Sequence, residues 1–139
     1  MNDQDGTVFL IDDDPGVRDA LTLLLSLKGM STQPFATADS FIEAYRPERA
    51  GCVLTDLRMP GMTGLELLKK LREKGFTGAA ILLTAHVSEE TYSEAARLGV
   101  WRIFHKPVES AALMESVAEA LSHFKRKAVA PEIDANTLI

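Results

Sequence analysis

Three aspartates in a row, Asp12, Asp13 and Asp14, follow the apolar run Val8–Ile11 in the stretch FLIDDDPGVRDAL. Adjacent carboxylates repel one another, so the cluster costs stability unless a cation or a task offsets it. Further along, single polar residues close other apolar runs: Asp56 after Cys52–Thr55, Thr84 after Ala79–Leu83, and Lys106 with Pro107 after Val100–Phe104. Carboxylates brought together can hold a hard divalent ion such as Mg2+, bound by one or two carboxylates with waters and a phosphate oxygen. The ion relieves the repulsion and accepts the charge of a phosphoryl group. A hydroxyl and an ammonium beside it suit the same task.

The elements that must assemble these residues follow from periodicity. Four apolar runs and a weaker one, Ser31–Phe35, read as strands. Between them, apolar residues recur at three- and four-residue spacing: Val17, Leu21, Leu24 and Leu25; Phe41, Ala44 and Tyr45; Leu65, Leu68 and Leu71; Tyr92, Ala95 and Ala96; and last Leu113, Val117 and Leu121. That is one helical face each. Alternating strand and helix predicts a parallel sheet covered on both faces, a (βα)5 unit. The runs are continuously apolar, as strands buried on both sides should be, and Pro34 puts the second at an edge. Parallel sheets bind ligands at the carboxyl ends of their strands, where Asp12, Asp13, Asp56, Thr84 and Lys106 all fall. Asp14 before Pro15 reads as a helix N-cap, a structural role, which leaves Asp12 and Asp13 to face Asp56.

A chain of 139 residues, 46% hydrophobic, supports one domain with a real core. A net charge of −5 with mixed signs argues against nucleic-acid binding by the body of the domain. No apolar stretch is long enough to span a bilayer, and the polar start does not read as a signal peptide. Cys52 is the single cysteine, so no intrachain disulfide forms and a cytoplasmic setting is expected. Cys52 reads as a small core residue, and Met59 and Met62 as packing beside a Pro-Gly turn. Trp101 reads either as partly buried at the end of the fifth strand or as an output-face contact. From Lys125 the apolar pattern fades, which divides the chain into a domain at 1–124 and a tail or linker at 125–139. The Lys125–Lys127 triplet reads as a solvated helix end.

The four motifs LIDDD, VLTDLRMPGMTGLELL, ILLTAH and FHKP stand in an order and spacing that resembles the receiver domain of bacterial two-component response regulators. The likeness runs from residue 7 to about 124 and is greatest to receivers attached to helix-turn-helix output domains. It implies a flavodoxin-like doubly wound fold with five parallel strands in the order 2-1-3-4-5. It implies that Asp56 accepts a phosphoryl group from a sensor histidine kinase. Asp13 and Asp56 would bind Mg2+ directly, Asp12 partly through water, and the Arg58 carbonyl would add a ligand. Lys106 and Thr84 would contact the phosphoryl oxygens, and the Lys106–Pro107 bond is expected to be cis.

The same resemblance implies a switch in which the face of the fourth helix, fifth strand and fifth helix repacks. Its readers would be a second copy or a DNA-binding output domain outside these residues; no membrane is implied. The family usually carries an aromatic residue three positions before the lysine. Here Ile103 stands there, so aromatic coupling is expected to be muted or assumed by a neighbour. His86 and Arg58 are the residues expected to tune phosphoryl lifetime, although His86 taken alone reads as an exposed loop residue. The chief rival is a phosphatase of the haloacid-dehalogenase type with Asp12 as nucleophile, since Asp12 and Asp14 mimic its D-x-D pattern. That chain would need a cap domain and a further acidic pair. A flavodoxin-like cofactor binder would need a Gly/Ser/Thr-rich loop after the first strand, where this one is acidic. A pseudo-receiver used only for contact is opposed by Asp13, Asp56, Thr84 and Lys106 together.

Overall fold

The computed structural model describes residues 7–46 and 51–129. Strand and helix alternate as β1 (Thr7–Ile11), α1 (Pro15–Leu27), β2 (Ser31–Phe35), α2 (Ala38–Ala44), β3 (Gly51–Asp56), α3 (Gly64–Glu73), β4 (Ala79–Thr84), α4 (Glu89–Arg97), β5 (Arg102–His105) and α5 (Ser110–Val129). All neighbouring strands pair parallel, in the order β2-β1-β3-β4-β5. This is the doubly wound (βα)5 fold that the alternation implied. The reading of 125–139 as tail or linker falls in part on α5, which runs to Val129, and otherwise on residues 130–139, outside the described residues.

Strand pleating splits the core in two. Val8, Leu10, Cys52, Leu54 and Ile81 face Leu25 of α1 and Leu113 and Val117 of α5. Phe9, Ile11, Val53 and Ala80 face Phe41 of α2 and Leu67, Leu68 and Leu71 of α3. Each fully buried Val, Leu, Ile or Phe side chain among them contributes about 1.5–3 kcal/mol. A third, smaller cluster of Leu57, Leu65, Leu82 and Ala95 lies under α4.

Caps fix where helices begin. Asp14 accepts from the amides of Gly16 and Val17 at 2.8 and 3.3 Å, with Pro15 opening α1. Thr63 and Glu66 form a reciprocal capping box at α3. Gly64 is required there: a Cβ at that position would lie 2.7 Å from the carbonyl oxygen of Asp56, so only glycine lets α3 start against the end of β3.

Several expectations are corrected. The fifth strand is Arg102–His105, not Val100–Phe104. The Val100 amide closes the α4 turn on the Ala95 carbonyl, and its side chain packs in the clusters beside α4. The edge strands β2 and β5 are partly exposed rather than buried on both faces. Of the stripe read in α4, only Ala95 is buried; Tyr92 is 48% exposed. In α1 only Leu25 is fully buried, while Leu23 and Leu27 are exposed at 59% and 72%. In α4 spacing alone overstated the buried face, whereas in α1 Leu21 and Leu24 join Leu25 against the core as the spacing predicts.

Candidate functional site

Asp12 leaves β1 as a buried residue with its amide on the Phe35 carbonyl at 3.1 Å. Its Oδ1 accepts the Asp14 amide at 2.9 Å, and its carbonyl accepts Arg18 Nη1 at 2.7 Å. Its Oδ2 is buried and accepts no hydrogen bond among the described residues. Asp13 follows, exposed. Asp56 ends β3 at 9% exposure; its Oδ1 accepts the Arg58 amide at 3.1 Å and its Oδ2 the Lys106 ammonium at 2.7 Å. Lys106 is carried to this point by β5: its amide donates to the Thr84 carbonyl at 2.8 Å, and its bond to Pro107 is cis.

Carboxylate oxygens of Asp12, Asp13 and Asp56 lie within 4.8 Å of one another. At an effective dielectric near 20, a pair at that distance repels by on the order of 3 kcal/mol, less where water reaches it. One ammonium cannot neutralise three carboxylates. Burial, first, and then the charges of Asp56 and Asp13 hold the Asp12 carboxyl above its ordinary range; the Asp14 amide and Lys106 only partly offset them. For Lys106, burial alone would lower the ammonium's pKa. The hydrogen bond and charge of Asp56, helped by Asp12 and Asp13, overcome this and raise it. The orphaned Oδ2 of Asp12, turned into a cluster short of positive charge, fits a divalent cation.

Asp12, Asp13, Asp56 and Lys106 are thus brought together at the carboxyl edge of the sheet. Thr84 is near but otherwise engaged. It is buried one residue beyond the Asp56↔Leu83 pair, and its hydroxyl donates to the His86 carbonyl at 2.8 Å and accepts the His86 amide at 3.2 Å. The His86 and Arg58 side chains are exposed, and Arg58 lines an open groove with Glu66, Lys69 and Glu94. Ile103 is half-buried against the cluster under α4. Trp101 is half-buried on the α5 side, its ring 5.1 Å from that of His123. Cys52 is fully buried, its thiol pushed up to about 12 by burial. Met59 and Met62 pack against the α2–α3 core.

Three contacts went unforeseen: Arg18 on the Asp12 carbonyl, the Tyr92 hydroxyl on His105 Nε2 at 3.0 Å, and Arg72, which binds the carbonyls of Phe76, Gly78, Leu98 and Gly99. Most of their acceptors are backbone oxygens, which residue types do not reveal. The one available signal was Arg18 itself, a cation one helical turn beyond the acidic run.

The family model described as the response regulator receiver domain matches residues 8–118, and the chain belongs to that family. The chain is thus a response regulator receiver domain, a phosphorylation-dependent signalling switch, and the haloacid-dehalogenase reading is not favoured. The chain is 40% identical over 114 residues to the transcriptional regulatory protein FixJ of Azorhizobium caulinodans, covering 82% of this chain and 54% of that protein. It is 34% identical over 116 residues to the transcriptional regulatory protein TdiR of Thauera aromatica, covering 84% and 51%. Among solved structures, the response regulator StyR superposes with a TM-score of 0.84 at 34% identity, covering 94% of this chain and 66% of that one. The crystal structure of FixJ-N gives 0.73 at 30% identity, covering 85% and 94%. The chain therefore spans between half and two thirds of the first curated relatives it matches. No helix among the described residues is long and apolar enough to cross a membrane.

Proposed function

We propose that Asp56 is the phosphoacceptor of this receiver and that a sensor histidine kinase supplies the phosphoryl group. The observation that carries the reading is the Lys106–Asp56 contact of 2.7 Å beside a carboxylate cluster within 4.8 Å. In the reaction a carboxylate oxygen of Asp56 attacks the phosphorus of a phosphohistidine, the P–N bond breaks, and an acyl phosphate forms. Such transfers depend on positioning and charge neutralisation more than on covalent chemistry by the protein. Asp13 and Asp56 would hold Mg2+ directly, with Asp12 partly through water and the Arg58 carbonyl as a further oxygen. The ion, when bound, offsets the charge gathered on the phosphoryl oxygens.

Acyl-phosphate formation removes the charge of the Asp56 carboxylate, so the Lys106 ammonium passes from Oδ2 to a phosphoryl oxygen. Thr84 gives up its bonds to His86 and turns its hydroxyl to another. That movement draws in the β4–α4 loop and biases the α4-β5-α5 face between two packings. Arg58 and His86, exposed at the rim, regulate the water that ends the phosphorylated state. The domain catalyses its own phosphorylation and dephosphorylation in this scheme.

The proposed readers of the repacked face are a second copy of the chain and a DNA-binding output domain. Relatives named as transcriptional regulators, one a DNA-binding transcriptional regulator, support the second. Residues 1–124 are then the receiver and 125–139 its link onward, and the setting is the cytoplasm. Incubation with a small acyl-phosphate donor and Mg2+, with mapping of the modified residue, tests the assignment. We expect one phosphoryl group on Asp56 and at least a hundredfold slower uptake by Asp56→Asn. Uptake by that variant at the wild-type rate would falsify it.

A further inference from the structure

We infer that Arg18, one turn into α1, is a positioning residue that sets the metal-binding geometry of the β1–α1 loop. The inference rests on the proposal that Asp12, Asp13 and Asp56 form a Mg2+ site. Arg18 is half-buried and donates Nη1 to the Asp12 carbonyl at 2.7 Å. No described carboxylate lies within ion-pair distance of it, so the guanidinium is committed to a main-chain oxygen rather than to an acid.

The carbonyl it holds belongs to the peptide that joins Asp12 to Asp13. On the Asp12 side that residue is already fixed by its amide on Phe35 and by Oδ1 on the Asp14 amide. A peptide is planar, and a residue has only two soft dihedrals. Pinning the Asp12 carbonyl therefore restricts where the next Cα, that of Asp13, directs its carboxylate. Of the four polar atoms of Asp12, amide, carbonyl and Oδ1 are bonded, and Oδ2 is left buried and unpartnered in the cluster. Arg18 completes that arrangement from outside the ligand set.

Two effects of Arg18 on a dication have opposite signs. Its charge repels the ion, an influence screened by solvent and salt. Its hydrogen bond preorganises the ligands, and the loss of such outer partners costs 10- to 100-fold in metal affinity. Positioning therefore wins, and removal of Arg18 should weaken binding.

The test is calorimetric titration of MgCl2, with no phosphodonor, into wild type, Arg18→Ala and Arg18→Lys. Backbone amide spectra of the metal-free proteins accompany it. Arg18→Ala should bind Mg2+ roughly tenfold more weakly, with its metal-free Asp13 amide signal shifted. Arg18→Lys, which keeps a donor for the same carbonyl, should recover part of the affinity. Equal or tighter binding by Arg18→Ala overturns the role of Arg18, as does a fall in melting temperature without loss of Mg2+ affinity below the melt. A wild-type chain that binds no Mg2+ overturns the site reading itself, a distinct result.

Discussion

Asp12 commits its amide, carbonyl and Oδ1 to hydrogen bonds yet leaves Oδ2 buried without one, and its carboxyl is held above the ordinary range, burial being the first cause. The sign of the pH effect follows. A raised folded pKa means that the folded chain keeps a proton which the unfolded chain releases above about 3.8. The stability from that proton is full below this value and is lost as pH rises through the folded pKa. At neutral pH the charged Asp12 is thus a cost in the metal-free protein. Asp12→Asn keeps the Oδ1 acceptor and replaces the orphaned oxygen with a donor facing carboxylates. It should raise metal-free stability at pH 7, read as a higher melting temperature than wild type, and change it little near pH 3. Scanning calorimetry at both pH values checks this; a lower melt for the variant at pH 7 would count against the charge argument. Asp12, Asp13, Asp56 and Lys106 were legible because each stands where an apolar run stops. Arg18 was not, since its partner is a main-chain oxygen.

At the scale of elements, α4 is the weakly seated helix. Ala95 is its one fully buried side chain; Tyr92 bonds His105 across to β5, and Arg72 grips the Leu98 and Gly99 carbonyls after its last turn. Arg72 also binds the Phe76 and Gly78 carbonyls and lies 5.4 Å over the Phe76 ring, so one side chain ties the α3–β4 and α4–β5 connections together. Arg72→Ala strands several half-buried acceptors and should cost about 2–3 kcal/mol in urea denaturation; Arg72→Lys should recover little, because an ammonium cannot span both connections. A loss under about 0.5 kcal/mol would mean that solvent satisfies those carbonyls equally well.

Ile103 packs half-buried against the small cluster under α4, at the position where the resemblance leads one to expect an aromatic residue. Ile103→Tyr should destabilise the unphosphorylated state by about 1–2 kcal/mol through overpacking and enlarge the phosphorylation-dependent change in partner affinity. Unaltered melting and an unaltered affinity ratio would remove the case for muted coupling. The α4 stripe was overread from sequence because three- and four-residue spacing marks every apolar residue on a face. Only docking decides which of them meet the sheet.

For the molecule as a whole, the switch is a small energetic bias on a stable sheet. Strands β1, β3 and β4 are buried throughout, whereas the proposed output face is built from the edge strand β5 and the thinly supported α4. Phosphorylation adds roughly 1.5 to 2 negative charges at one end of that sheet. In the proposed switch an effect of this size suffices to redistribute two packings of that face without disturbing the core. Size-exclusion chromatography with light scattering, before and after treatment with an acyl-phosphate donor and Mg2+, should register a concentration-dependent rise in mass that Asp56→Asn does not show. Mass unchanged at high concentration would leave an output domain, not a second copy, as the reader of that face.

Alone, the sequence determined the order of elements, the parallel sheet and the acidic and basic residues at its carboxyl edge. Burial makes central strands continuously apolar, and a charge that ends such a run is therefore conspicuous. Tertiary structure alone decided the distances that make a cluster of Asp12, Asp13 and Asp56, the capture of Asp56 by Lys106, and the turn of Thr84 toward its own loop. It also decided the service of Arg18 to the Asp12 carbonyl and of Arg72 to the carbonyls of Leu98 and Gly99. Those depend on strand register and on the direction of backbone oxygens, which every residue carries alike and no residue type records.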